Sequence, residues 1–243
     1  MPKLKKTEKP KKAPKPKAPV ELKDYGFVAV CMGKGITNIL KDLGVDRVIE
    51  GGQTMNPSTD DILKAVKRVK AKTVYVFPNN KNIIMAANQA AELVEDKKIV
   101  VIPSKSVPQC ISAMVEFNDK KSAEANEKAM NKAIGRVASG QLTYAVRDTE
   151  IDGIEIKKDD ILGMVEGKIV TVGKDIDDVL NRVVSQMVDE DTEFLNVYYG
   201  KEIKKPQADV MLKALETKYA DDEIEVSFKK GGQPLYYYII STE

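Results

Sequence analysis

Glycines, short polar side chains and a helix start lie close together between residues 51 and 59. The run reads Gly51-Gly52-Gln53-Thr54-Met55-Asn56-Pro57-Ser58-Thr59, and an apolar helical pattern begins directly after it. Glycine lets the backbone turn tightly and approach another molecule closely, while Ser58 and Asp61 have capping-box spacing. The run is typical of a polar loop at the mouth of a βα unit, where α/β proteins bind ligands or partners. The candidate binding residues are Gly51, Gly52, Gln53, Thr54, Asn56, Ser58 and Thr59.

A second polar run, Pro78-Asn79-Asn80-Lys81-Asn82, follows another apolar segment. Asparagine tolerates turn geometry, so a turn with a helix cap is one interpretation. Three asparagines in four residues exceed what a cap needs, and a binding role is the other interpretation. The candidates for contact with a carboxylate ligand or a partner protein are Asn79, Asn80, Lys81 and Asn82.

The chain lacks the residues that several kinds of catalytic chemistry require. The chain has no histidine, which removes histidine-based triads and the commonest metal ligand. Two separated cysteines, Cys31 and Cys110, are expected to be buried thiols rather than a disulfide or a zinc site. Gly33-Lys34-Gly35 lacks the third glycine of a dinucleotide fingerprint, and carboxylate pairs such as Asp60-Asp61 are expected to be solvated. We therefore predict no catalytic residue, no metal and no cofactor in this chain.

The positive charge is concentrated at the N-terminus. Residues 1–20 hold eight lysines and one glutamate, so the rest of the chain, with 31 basic and 36 acidic side chains, is near −5. A Lys-Pro-Ala run cannot bury a core, and residues 1–23 are predicted to be a disordered linker. The run has no aromatic residues for base stacking, so no nucleic-acid partner is predicted. We expect a cytoplasmic protein without stable membrane insertion, since no apolar run approaches the about 20 residues that span a bilayer and no signal peptide is recognisable.

Strand and helix patterns alternate through the first half of the chain. This alternation predicts an α/β (Rossmann-like) lobe over residues 24–118, with a doubly wound, mainly parallel sheet. A smaller α+β lobe is predicted over 119–243, with a long helix over 120–137 and a closing strand, Leu235–Ile240. Tyr236 to Tyr238 are interpreted as packing in this strand, the alternative being that they line a ligand site. Parallel strands would bring four loops to one edge of the first sheet: 32–35, 51–59, 78–82 and 103–106.

Three segments carry a family resemblance: Glu50–Thr59, Pro78–Ile83 and Gly231–Tyr238. They resemble the C-terminal region of the bacterial fatty acid kinase catalytic subunit, in the dihydroxyacetone-kinase-like or DegV-like kinase family. The similarity covers roughly residues 24–243, with the segments in order and at family spacing. It implies a two-lobed DegV-like domain that docks a separate DegV-type fatty-acid-binding protein. In the family, a kinase domain phosphorylates the carried fatty acid, and the acyl phosphate feeds phospholipid synthesis.

The chain also departs from the family pattern. Nothing in it resembles the family's Mg-ATP-binding domain or its middle domain, so the family's catalytic residues have no positions here. Mg-ATP is expected on that absent kinase domain, acting in cis or in trans. The Lys-Pro run resembles an interdomain linker, and the chain is either a fragment or split subunit of the kinase or a stand-alone relative.

Two functional hypotheses remain. The first is a non-catalytic docking module that uses the loops Gly51–Thr59 and Asn79–Asn82. The second is a fatty-acid carrier in its own right, with the carboxylate held by Thr54, Ser58 or Thr59. An independent enzyme is disfavoured because no acid–base or nucleophile pair is evident, and a homodimer stays open as the oligomeric state.

Overall fold

The computed structural model describes residues 22–52, 55–151 and 153–243. Most of the predicted linker, and the candidates Gln53 and Thr54, lie outside these residues. Lys23, which we assigned to the linker, instead begins the first strand. It is held there because its N–H donates to the Lys70 carbonyl (3.1 Å) and its ammonium pairs with Asp46 (2.7 Å).

The first lobe contains a parallel sheet, as predicted. Its strands are β1 (Lys23–Cys31), β2 (Arg47–Glu50), β3 (Ala71–Phe77) and β4 (Lys98–Val101), in the order β2-β1-β3-β4. All three strand pairs are parallel. The central strands β1 and β3 are apolar because both of their faces are covered.

Helices lie on both faces of this sheet, which makes it doubly wound. They are α1 (Lys34–Asp42), α2 (Thr59–Arg68), α3 (Lys81–Glu92), α4 (Val107–Val115) and α5 (Ala123–Ile134). Helices α2 and α3 pack on the face that carries Val28 and Val76. Helices α1, α4 and α5 pack on the opposite face, against Phe27 and Phe77. Helix α5 is shorter than predicted because Ser122 caps its start and Gly135 ends it.

The second lobe holds a mixed sheet. Its strands are β5 (Ala138–Tyr144), β8 (Ile161–Val165), β9 (Lys168–Gly173), β10 (Phe194–Tyr199), β11 (Glu225–Lys230) and β12 (Tyr238–Thr242), in the order β11-β10-β12-β5-β8-β9. A separate hairpin is formed by β6 (Thr149–Ile151) and β7 (Ile154–Ile156). The second sheet has six strands against four in the first, so this lobe is not the smaller one in strand number. The closing strand β12 lies inside this sheet, between β10 and β5.

The two sheets share one apolar core. Tyr198 of β10 and Ile239 of β12 join the cluster that contains α1 and α4. The far face of the second sheet is covered by α6 (Ile176–Met187) and α7 (Lys205–Lys218). Helices thus alternate with sheets in five layers, which confirms the predicted α/β fold class. Among residues 22–52, 55–151 and 153–243, no helix is long and apolar enough to cross a membrane.

Candidate functional site

The four loops that follow β1 to β4 meet around one cavity between the lobes. The first lobe contributes residues of all four loops, among them Met32, Gly51, Gly52, Asn79, Asn80, Lys105 and Ser106. The second lobe closes the other side with residues that include Gln141, Gln233 and Tyr236. The cavity volume is about 60 Å³. Small-molecule pockets usually measure about 300–1,000 Å³, so this cavity by itself is smaller than a usual ligand pocket.

A wider polar cleft adjoins this cavity. Its volume is about 200 Å³, and it shares Asn80, Lys105, Ser106 and Gln141 with the cavity. Lys81, Gln109, Ser139 and Glu166 are among its other lining residues. The hydroxyls of Ser106 and Ser139 are hydrogen-bonded at 2.7 Å and join the two lobes across the cleft. The Glu166 carboxylate accepts a hydrogen bond from the Ser139 N–H at 2.6 Å.

Asn79 and Asn80 serve the fold at the edge of the cavity. Asn79 has a φ of 55°, which asparagine tolerates better than most residues. Its Nδ2 donates to the Val30 carbonyl (2.9 Å), and its Oδ1 accepts from the Ser104 hydroxyl (2.7 Å). Asn80 caps α3 by accepting the Asn82 N–H at 2.9 Å. The structure thus shows Asn79 in a turn and Asn80 as the helix cap, and a binding role for this run stays a prediction. The Lys81 side chain is exposed.

The loop after β2 divides its candidates between two surfaces. Gly51 and Gly52 line the cavity, and Gly52 is paired with Met55 by two hydrogen bonds of 3.2 Å. Asn56 lies instead on the groove beside β2. Ser58 forms the predicted capping box with Asp61, whose pKa the Ser58 hydrogen bonds lower. The Thr59 hydroxyl donates to Gln89 at 3.1 Å, on the outer helices.

The cavity therefore brings together Gly51, Gly52, Asn79 and Asn80, with Lys81 in the adjoining cleft. It does not include Asn56, Ser58, Thr59 or Asn82. Asn56 lies on the groove beside β2, Ser58 and Thr59 lie at the capped start of α2, and Asn82 lies in the first turn of α3. The predicted roles of Gln53 and Thr54 concern residues outside the described ranges.

The Gly33-Lys34-Gly35 loop approaches another part of this chain. A Cβ on Gly33 would lie 2.6 Å from the Gln233 backbone nitrogen. The Ile36 N–H, in the first turn of α1, donates to the Gly231 carbonyl at 3.0 Å. An amide of the α1 N-terminus is therefore satisfied from within the protein. These two glycines are explained by lobe packing rather than by a bound phosphate.

Residues of the second lobe were missing from our candidates. Gln233 is 2% exposed and lines the cavity, and its Nε2 donates to the Tyr198 carbonyl at 2.7 Å. Its Oε1 is buried without a hydrogen-bond partner among the described residues. Tyr236 also lines the cavity, whereas only Tyr238 of the three consecutive tyrosines lies in a strand. The Gly231-Gly232-Gln233-Pro234 run could have indicated these cavity residues, because it interrupts the apolar strand pattern of the second lobe.

Burial affects the ionisable groups in and near the cavity. It raises the pKa of the Cys31 thiol, which lines the cavity, and that of the Cys110 thiol on α4. Burial also raises the pKa of Tyr236 to about 12, so its phenol is neutral at ordinary pH. The described part of the chain contains no group of three or more potential metal ligands. The arrangement offers hydrogen bonds and positive charge, which suit binding.

Comparison with known sequences identifies relatives along nearly the whole chain. The profile of the FakA-like fatty acid kinase family, C-terminal region, matches residues 26–243. Protein YloV of Bacillus subtilis (strain 168) is 49% identical over 219 residues, which cover 90% of this chain and 39% of YloV. A Staphylococcus aureus (strain USA300) protein is 44% identical over 229 residues, 94% of this chain and 41% of that protein. The chain thus spans about two fifths of the length of these relatives.

Solved structures share the fold at low sequence identity. DegV of B. subtilis, described as a fatty acid binding protein, has a TM-score of 0.61 at 12% identity, over 90% of this chain and 99% of DegV. The Streptococcus pneumoniae fatty acid kinase B3 protein, loaded with linoleic acid, has a TM-score of 0.54 at 10% identity, with coverages of 90% and 99%. The dihydroxyacetone kinase of C. freundii has a TM-score of 0.59 at 12% identity, with coverages of 92% and 49%. The DegV-like fold is confirmed, and the extent of the profile match shows that this chain belongs to the C-terminal family of FakA-like fatty acid kinases.

Proposed function

We propose that this chain is a non-catalytic docking module of a fatty acid kinase system. In this proposal it holds a DegV-type fatty-acid-binding protein, and a separate kinase domain, in cis or in trans, phosphorylates the carried acyl group. Mg-ATP would bind to that kinase domain and not to this chain. The family match supports a kinase-associated role, and the described residues offer no nucleophile–base pair at the cavity.

The observation that carries the docking proposal is the size of the interlobe cavity. The fold is shared with fatty-acid-binding proteins, yet the cavity where the loops converge measures about 60 Å³. Burying an acyl chain gains about 0.8 kcal/mol for each CH₂ group, so a carrier needs a long apolar tunnel. A carrier-like fold without such a volume at this position favours recognition of another protein.

The alternative is a fatty-acid carrier. It is supported by the fatty acid binding named for DegV of B. subtilis and by the linoleic acid of the S. pneumoniae protein. The apolar side chains that line the cavity, among them Ile36, Tyr236 and Ile239, also favour it. This alternative requires the lobes to separate, which would break the Ser106–Ser139 hydrogen bond and the shared core.

Isothermal titration calorimetry tests the docking proposal. Oleate-loaded DegV of B. subtilis is titrated into the full chain at low salt, and a fatty-acid-free sample is titrated in parallel. We expect saturable binding with one DegV per chain. Heats no larger than those of dilution, with both samples, would contradict docking. Titration of the chain with oleate alone tests the carrier alternative directly.

A further inference from the structure

Three exposed lysines follow the ends of neighbouring parallel strands in the first sheet, and two of them, Lys81 and Lys105, line the polar cleft beside the cavity. Lys34 follows β1, Lys81 follows β3 and Lys105 follows β4, and these three strands are neighbours in the sheet. None of the three ammonium groups forms an ion pair within residues 22–52, 55–151 and 153–243. We call this surface the lysine face.

The loops that carry the lysine face contain no acidic residue. Residues 32–35, 78–82 and 103–106 read Met-Gly-Lys-Gly, Pro-Asn-Asn-Lys-Asn and Pro-Ser-Lys-Ser. The helices α1, α3 and α4 that start there also lack acidic residues in their first turns, whereas α2, α5 and α6 have them. The partial positive charge of these three helix ends therefore adds to that of the lysines.

The lysine face contrasts with the remainder of the protein. Residues 21–243 carry a net charge near −5, from 31 basic and 36 acidic side chains. An acidic surface approaching this body would be repelled on average and attracted at the lysine face, which orients an encounter.

We propose that the lysine face docks an acidic surface of the DegV-type partner, an inference that rests on the proposed function. Lys34, Lys81 and Lys105 would contact carboxylates of the partner, and the mouth of the interlobe cavity would lie under the interface. This assigns a role to Lys81 and adds Lys34 and Lys105, neither of which was among the candidates.

The test is a charge-reversal series measured by the same calorimetric titration with oleate-loaded DegV. The triple variant Lys34→Glu, Lys81→Glu, Lys105→Glu is compared with the triple arginine variant at the same positions. The matched control is Lys128→Glu, Lys168→Glu, Lys213→Glu, which changes the net charge equally at exposed positions on α5, β9 and α7. Circular dichroism melting confirms that each variant is folded.

We expect the glutamate variant of the lysine face to bind about tenfold more weakly or worse, and the arginine and control variants to bind within about threefold of the wild type. Raising the salt from about 50 to 500 mM should weaken wild-type binding and leave the glutamate variant little changed. If salt does not weaken wild-type binding and the triple glutamate variant binds as tightly as the wild type, the lysine face is not the docking surface, and the docking function still stands. Absence of wild-type binding at low salt would overturn both.

Discussion

Gly35 lies directly against the backbone of Lys230, and at this contact the two lobes pack closely together. A Cβ on Gly35 would stand 1.7 Å from the Lys230 carbonyl oxygen and 2.9 Å from that of Gly231. The obstacle is backbone, tied by the Gly231 and Gly232 N–H groups to the Tyr199 carbonyl at 3.0 Å. An added Cβ would therefore have to displace the end of β11 or the start of α1.

Gly35→Ala should therefore destabilise the protein by about 1–3 kcal/mol or more, the usual cost of overpacking. Urea unfolding followed by circular dichroism measures the change. Gly135→Ala is the matched control, because its added Cβ would meet nothing closer than 3.4 Å and its φ is −76°. Equal stability of the two variants would show that the lobe contact is looser than described.

Asn79→Ala should also destabilise the fold. The substitution removes the side-chain donor to the Val30 carbonyl and the side-chain acceptor of the Ser104 hydroxyl, and alanine disfavours the φ of 55°. Loss of buried hydrogen bonds of this kind costs about 1–3 kcal/mol.

The control for Asn79 is Asn82→Ala, because the Asn82 side chain is exposed. Its free energy of unfolding should stay within about 0.5 kcal/mol of the wild type, as is usual for surface changes. If Asn79→Ala were equally neutral while weakening DegV binding, a binding role for Asn79 would replace the structural one.

The exposed ion pair between Lys98 and Glu124 predicts a small loss of stability in acid. The Lys98 hydrogen bond, followed by a backbone hydrogen bond and the Ser122 hydroxyl, lowers the pKa of Glu124 from 4.5 to about 2. A depressed carboxyl pKa contributes stability above its unfolded value, and this contribution is lost as the pH falls through the folded value. The Lys98–Glu124 contribution should therefore disappear between about pH 4.5 and 2.

NMR titration of the Glu124 carboxyl checks this pKa. Lys98→Gln should return the pKa of Glu124 toward 4.5 and reduce the loss of stability between pH 5 and 2.5, to an extent limited by solvent screening. A Glu124 pKa that is unchanged in Lys98→Gln would show that the Ser122 cap, and not the lysine, sets it.

Local patterns predicted the parts of the structure that local physics determines. The capping box of Ser58 and Asp61 and the parallel direction of the strands in the first sheet both follow from sequence patterns. The failures concern contacts between distant segments. Nothing near Gly33 and Gly35 indicates that the Lys230–Gln233 segment, about 200 residues later, fills the space beside them.

The residues at the cavity show the same difference between local sequence signals and contacts of distant segments. The first-lobe candidates Gly51 and Asn80 follow strands of one parallel sheet, so their convergence could be predicted. Gln141 and Gln233 reach the cavity only through the packing of the second sheet on α1 and α4, which no short motif encodes. Tyr236 was assigned to a strand because its neighbours are apolar, yet Leu235, with a φ of 69°, turns the chain before β12 begins.

Native mass spectrometry tests the central claim most directly. The purified chain is measured alone and then mixed with oleate-loaded DegV of B. subtilis, and lipids are extracted from the first sample under denaturing conditions. The docking account predicts a chain free of fatty acid that forms a one-to-one complex with DegV. A stoichiometric fatty acid on the chain itself, with no complex, would contradict docking and establish the carrier alternative.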